Sequence, residues 1–398
     1  MRARRVLAIV AAFWVVIVVF VAGVAVGGHA KDVGLIRLSD PLRSLLLGDS
    51  GQDLSAQVLE VLRDDYYEKV DTTGLEQASV EAIVEKLGDP YTDYLDPDEL
   101  QALRDRNEGA YFGVGLQVAQ RGDAIVVTRV FDGSPAAEEG VKALDRVVSV
   151  NGTPATGRPL EAVVADIRGK EGTAVTLGIQ TGDAPPRSLK LTRARIQVPA
   201  VDSRIITVDG HEVGYVRLAQ FTRGASEALR EAVTDLRDKG AQALVLDLRG
   251  DPGGLVSEAV GVTGVFLESG STVVVTQGLH SPKHVYTTDA TPVAGDLPLM
   301  VLVDRNSASA SEIVAGALRD SKRGTLVGER TFGKALVQST VLLRDGGALK
   351  LTTARYLTPA GYDLAKRGLP PTVKVVDDPG TAPDEALQKG LALAAAAG

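Results

Sequence analysis

The stretch Ala243-Leu244-Val245-Leu246-Asp247-Leu248-Arg249-Gly250-Asp251-Pro252-Gly253-Gly254 is an apolar strand that empties into a glycine-rich turn. Such a turn can aim backbone N–H groups at a developing oxyanion, although many α/β turns are rich in glycine. On either side, residues 213–218, 273–276, 299–303 and 325–328 read as further short strands, and 226–239, 257–267 and 309–319 as helices. Strands alternating with helices predict an α/β domain over residues 196–375, with a tail or helix over 376–398.

Composition narrows the chemistry open to that domain. The 398 residues are 44% hydrophobic and 24% charged, enough for two or three domains with their own cores. The net charge of −8 is spread along the chain, so no basic footprint for nucleic acid exists. There is no cysteine, which excludes disulfides, thiolate metal sites and a cysteine nucleophile. Of the four histidines, His29 borders an apolar segment, His211 falls in a hairpin turn, and His280 and His284 flank a loop proline. No metal site is expected of them, and hydrolytic chemistry here must work without histidine.

The chain begins Met1-Arg2-Ala3-Arg4-Arg5 and then carries no charge from Val6 to Gly28. As a helix that run would reach about 34 Å, enough for a bilayer core of about 30 Å. The basic start places the arginines in the cytoplasm and everything beyond residue 30 across the membrane. We therefore expect a single-pass anchor over residues 1–30. A cleaved signal peptide ending at Gly28-His29-Ala30 is the other reading, and would give a secreted form.

Residues 31–52 read as a tether and 53–108 as a helical arm. A helical period runs over 53–70. Thr73-Gly74-Leu75-Glu76 has capping-box spacing before Val80, Ile83, Val84 and Leu87, with Gly88 and Pro90 as its stop. Asp96-Pro97-Asp98-Glu99 starts another helix. These short amphipathic helices need a surface for their apolar faces, which suggests a homodimerisation arm or a plain connector.

From Gly109 short strands and turns take over, with one amphipathic helix at 160–167. Their order resembles a PDZ domain over residues 109–195. In that resemblance Gly113, Val114, Gly115 and Leu116 form the loop that holds a peptide's terminal carboxylate, the peptide adding as a strand beside the 160–167 helix. The bland alternative is that Gly113 and Gly115 only make a turn. Ala143-Leu144-Asp145 stands where such domains usually have Pro-Gly-Asp, which puts that turn's shape in question.

Two more motifs lie in the α/β region. Ser307-Ala308-Ser309-Ala310-Ser311-Glu312 begins a helix after a strand. A serine there is exposed near the helix's positive end, yet serines also simply cap helices. Thr331-Phe332-Gly333-Lys334 follows a strand, and Gln338 shares the parity of Lys334 on an extended segment. A lysine acts as general base only when neutral, which at pH 7 holds for about one free lysine in a few thousand. Burial must lower its pKa, with Phe332, Leu336 and Val337 as candidate surroundings.

Together these motifs, with Gly-Gly-Ala-Leu-Lys-Leu-Thr-Thr-Ala-Arg-Tyr at 346–356, resemble the carboxyl-terminal processing peptidases, also called tail-specific proteases. The resemblance covers residues 53–375. It implies a crotonase/ClpP-like α/β peptidase core with an inserted PDZ domain, and a serine endopeptidase that recognises protein C-termini and needs no cofactor. It also implies Ser309 as nucleophile, Lys334 as general base and Gln338 as the residue orienting the lysine. The oxyanion hole would be the Ala310 N–H with that of Gly253 or Gly254. Arg168, at the end of the PDZ helix, is either a contact to the peptidase domain or a solvated helix-end charge. Ala335 stands where glycine usually follows the lysine, and Gly368-Leu369-Pro370-Pro371 lacks the expected aspartate. The rival readings are a silent PDZ scaffold, a histidine-based hydrolase and a crotonase-like acyl-transfer enzyme.

Overall fold

The computed structural model describes residues 50–70, 79–377 and 384–398. The expected anchor, the cleavage site and the tether up to residue 49 lie outside them. Among the described residues no helix is long and apolar enough to cross a membrane.

Helix α1 (Ser50–Asp65) stops short of the predicted end at Val70, and the Tyr66 and Tyr67 rings then pack edge to face. The Thr73 capping box lies outside the described residues. Helix α2 (Val80–Leu87) is capped by Ser79 and ends at Gly88, whose φ of 69° suits glycine. Strand β1 (Asp93–Leu95), which periodicity missed, precedes α3 (Pro97–Asn107). There Asp96 and Glu99 close the expected capping box. The arm's apolar face, with Val58, Leu62 and Ile83, is buried against Leu343, Leu349 and Leu351 of the same chain. The surface that suggested a partner copy is thus supplied intramolecularly.

The β-rich region comprises β2 (Ala110–Gly113), β3 (Leu116–Arg121), β4 (Ala124–Val130), α4 (Pro135–Glu138), β5 (Arg146–Val150), β6 (Thr153–Pro154), α5 (Leu160–Ile167), β7 (Ala174–Gln180), β8 (Arg187–Thr192) and β9 (Ala194–Gln197). Its sheet runs β3-β4-β5-β7-β8, β6 adds to β5, and β2 pairs with β9. Val163 and Ile167 of α5 close a core with Val127, Val147 and Leu177. At the irregular turn Leu144 takes a φ of 73°, and its side chain is exposed.

The α/β region comprises β10 (Val201–Val208), β11 (His211–Leu218), α6 (Ala225–Asp238), β12 (Ala243–Asp247), α7 (Val256–Thr263), β13 (Thr272–Gln277), β14 (His284–Thr287), β15 (Leu299–Val303), α8 (Ala310–Asp320), β16 (Thr325–Gly328), β17 (Leu336–Leu342), β18 (Ala348–Leu357), β19 (Val373–Lys374) and α9 (Glu385–Ala397). His211 opens a strand directly after the predicted turn, and His284, expected in a loop, starts β14. The main sheet runs β10-β11-β12-β15-β16-β19, parallel except for β10. Side chains of β12 alternate: Leu244 and Leu246 face α6, α7 and α8, whereas Val245 faces α9. Strand β13, read at 273–276, does not join the main sheet. It pairs antiparallel with β14 and β18 in a second sheet, where β18 also pairs with β17 and β1.

Arg249 fastens α9 to the first motif. Its guanidinium meets the buried Asp247 at 2.7 Å, Asp384 at 2.6 Å and Asp377 at 3.1 Å. Asp247 also accepts the Tyr215 hydroxyl at 2.9 Å. We expect Arg249→Ala to cost about 3–5 kcal/mol in chemical denaturation, since Asp247 then stays buried without its counter-charge.

Candidate active site

Three serines stand at the start of α8, and their surroundings differ. Ser307 and Ser311 are fully buried. Ser307 Oγ donates to the Leu248 carbonyl at 2.8 Å, and Ser311 Oγ to the Asp251 carbonyl at 3.0 Å. Both tie the helix start to the glycine-rich turn. Ser309, between them, is only half-buried. Its backbone has φ 56° and ψ −113°, a sparsely populated conformation costing about 1–3 kcal/mol that must be held by its surroundings.

The holding group is Glu312, absent from the sequence-predicted site. Its carboxylate is fully buried. Oε2 accepts the Ser309 N–H at 3.0 Å and the Lys334 N–H at 2.9 Å. Oε1 accepts the Gly333 N–H at 2.7 Å and the Thr331 hydroxyl. Burial raises the carboxyl pKa, and these donors pull it back toward ionisation. A second tie is Tyr356, whose hydroxyl lies 3.0 Å from the Ser309 carbonyl and 2.6 Å from that of Lys334. Its OH pKa is pushed well up, by burial first and by Glu312 second, so it remains a donor.

Lys334 Nζ donates to Gln338 Oε1 at 2.9 Å, as strand parity predicted. The expected apolar surroundings are corrected: Phe332 is exposed, and the ring beside Nζ is Tyr91, 4.8 Å away, from the arm. Gln338 in turn donates to the Tyr91 carbonyl. Burial lowers the lysine pKa, Lys350 lowers it further by like charge, and Asp89 opposes them. All three act on a site that the arm helps to close.

The glycine-rich turn lies against Ser309. A Cβ on Gly253 would stand 2.7 Å from the Ala308 carbonyl oxygen and 2.8 Å from the Ala310 nitrogen, so no larger residue fits. The Gly253 N–H donates to Asp251 Oδ1 at 2.8 Å. Around Gly254, the Phe221 N–H donates to the Gly253 carbonyl, and the Leu255 N–H donates to the Phe221 carbonyl. Among the described residues the Gly254 N–H has no acceptor, and Ala310, first residue of α8, has no intrahelical one.

In the β-rich region Gly115 has φ 84°, and a Cβ there would stand 2.1 Å from Ser134 Cβ. Gly113, Val114 and Leu116 sit at the join of β2 and β3. A groove of about 410 Å³ opens there, walled by Leu116, Phe131, Val164 and Ile167. Arg168 lies 5.3 Å over the Tyr111 ring at its edge, and Pro199, Asp202 and Arg217 of the following segments complete the wall.

Residues 212–375 match the model of peptidase family S41, and residues 101–180 that of the PDZ domain. A probable CtpA-like serine protease of Staphylococcus aureus (strain N315) is 36% identical over 319 residues, covering 80% of this chain. The chain spans 63% of the length of that relative. The solved photosystem II D1 C-terminal processing protease is 32% identical with a TM-score of 0.56, covering 85% of this chain and 96% of that one. An S41 protease of Bacteroides fragilis, at 17% identity and TM-score 0.58 over 85% of this chain and 96% of its own, shares the fold. The chain belongs to peptidase family S41 and carries a PDZ domain.

Proposed function

We propose that this peptidase cuts proteins presenting an unfolded C-terminus, by a Ser309–Lys334 dyad, while residues 6–28 hold it at a membrane with its body outside the cytoplasm. The observation that carries the dyad is the buried Glu312 carboxylate, which accepts one backbone N–H from each of its members. Neutral Lys334 releases Gln338 and takes the Ser309 proton as Oγ attacks the scissile carbonyl. The Gly254 and Ala310 N–H groups receive the oxyanion, assisted by the positive end of α8. The lysine then protonates the leaving amine, and water hydrolyses the acyl-enzyme. Gly254 is preferred to Gly253 because the latter's N–H is already bonded to Asp251.

The groove beside β3 takes the substrate's terminal residues, with its carboxylate against the 113–116 loop. Arg168, over Tyr111 and beside the core's Asp202 and Arg217, is placed to sense that occupancy. The parallel order of the main sheet supports the crotonase/ClpP-like reading of the core. The anchor reading rests on the uncharged run from Val6 to Gly28 behind three arginines.

Mass spectrometry of an unfolded protein substrate tests the dyad. Ser309→Ala and Lys334→Ala should each lower the cleavage rate by about 10³-fold or more, and Lys334→Arg should match the alanine, because a guanidinium stays charged. Cleavage by all three variants at the wild-type rate would move the chemistry elsewhere. For wild type, kcat/KM should rise with pH through a midpoint below the ordinary lysine value of about 10.4, since only the neutral amine is a base. Glu312→Gln puts an NH₂ among N–H donors. It should cost about 2–5 kcal/mol in thermal unfolding and lower kcat more than it raises KM. Amidation of the substrate's C-terminus should raise KM about tenfold or more with kcat unchanged, if the loop binds the carboxylate.

A further inference from the structure

Asp251 is a buried carboxylate that the mechanism above leaves unused. It is 0% exposed and sits at the joint of the site's two loops. Its carbonyl accepts the Ala308 N–H at 3.0 Å and the Ser311 hydroxyl at 3.0 Å. Its Oδ1 accepts the Gly253 N–H at 2.8 Å, which commits that group, while the Gly254 N–H has no acceptor among the described residues. Its Oδ2 is buried and has no hydrogen-bond partner.

We propose that Asp251 is a positioning residue of the oxyanion hole that works in its neutral, protonated form, and that its ionisation slows acylation by setting a negative charge beside the hole. This rests on the serine-peptidase reading given above. An anion buried with one oxygen unpartnered is costly, and a proton on Oδ2 removes the charge while Oδ1 goes on accepting from Gly253. The turn therefore keeps its shape in both forms, and only the charge differs. That charge opposes the oxyanion across a short distance away from bulk water.

The charges around Asp251 agree with a neutral group. Burial pushes its pKa up to about 7, against the Gly253 N–H, the nearby Ser311 hydroxyl and Arg217, the charge that acts on it from β11. The neighbouring carboxylates are engaged elsewhere: Asp247 with Arg249 and Tyr215, and Asp304 with the Gly250 and Ser307 N–H groups. From α8, Glu312 is committed to the Ser309 and Lys334 segments.

The test compares kcat for the full-length chain as wild type, Asp251→Asn and Ser309→Ala from about pH 6 to about pH 9 on an unfolded protein substrate. Asparagine keeps the Oδ1 acceptor and cannot ionise. The ratio of Asp251→Asn to wild type should lie near one at the acid end and climb to about tenfold or more at the alkaline end. Taking the ratio cancels the titration of Lys334. A ratio flat with pH, with Ser309→Ala inactive, overturns the role of Asp251 and leaves the dyad standing. A Ser309→Ala protein as active as wild type sinks both. Should Asp251→Asn fail to fold, wild type alone decides, since the climb of its kcat as Lys334 loses its proton must flatten above about pH 7. An unbroken climb to the alkaline end overturns the inference. An independent readout is thermal stability. The folded state holds its proton to higher pH than the unfolded chain, so wild type should lose stability relative to Asp251→Asn as pH rises from the ordinary carboxyl value of 3.8 to about 7.

Discussion

One buried carboxylate, that of Glu312, holds the site in register. Removing an anion from water costs several kcal/mol, and the fold recovers this only by converging donors on it. Those donors come from two places: the backbone of Ser309, and the 331–334 loop, which gives two backbone N–H groups and the Thr331 hydroxyl, itself accepting the Leu369 N–H at 2.7 Å. Ser309, strained at φ 56°, and Lys334 on a separate loop are thereby fixed by one group. The conformation that exposes Ser309 is affordable because the same contacts secure Lys334.

The sequence was legible where chemistry is local. The strand and turn at 243–254, the α5 helix at 160–167 and the α8 start at 309 appear within a residue or two of the reading. The Lys334–Gln338 pair was found by parity, although β17 begins only at Leu336 and its pairing shifts at Val337 and Gln338. Ser309 could not be told from its neighbours by spacing, because what sorts the three is which hydroxyl meets a carbonyl of the 248–251 turn. That depends on contacts about 60 residues apart in the chain.

What sequence reasoning missed is long-range. Glu312 looked like an ordinary first-turn acid, and only its burial against the 331–334 loop gives it its role. Tyr91 lies in a segment that read as a connector or dimerisation arm, yet it supplies a ring to Lys334 Nζ and a carbonyl to Gln338. Strand β13 was read as a strand, but its membership of a second sheet with β14 and β18 was not legible. Periodicity records which face of an element is apolar. It does not record which other element covers that face.

Strand β18 pairs along its first residues with β1 of the arm and along most of its length with β17, which carries Gln338. Lys350, whose charge depresses the Lys334 pKa, sits in register with both Asp93 and Thr340. The arm thus works as a lid against water on the lysine. If it peeled from β18, Nζ would lose its ring and its shelter, become hydrated and hold its proton, while the core sheet and Glu312 stayed intact. The lowered pKa of Lys334 belongs to the docked arm as much as to the lysine itself.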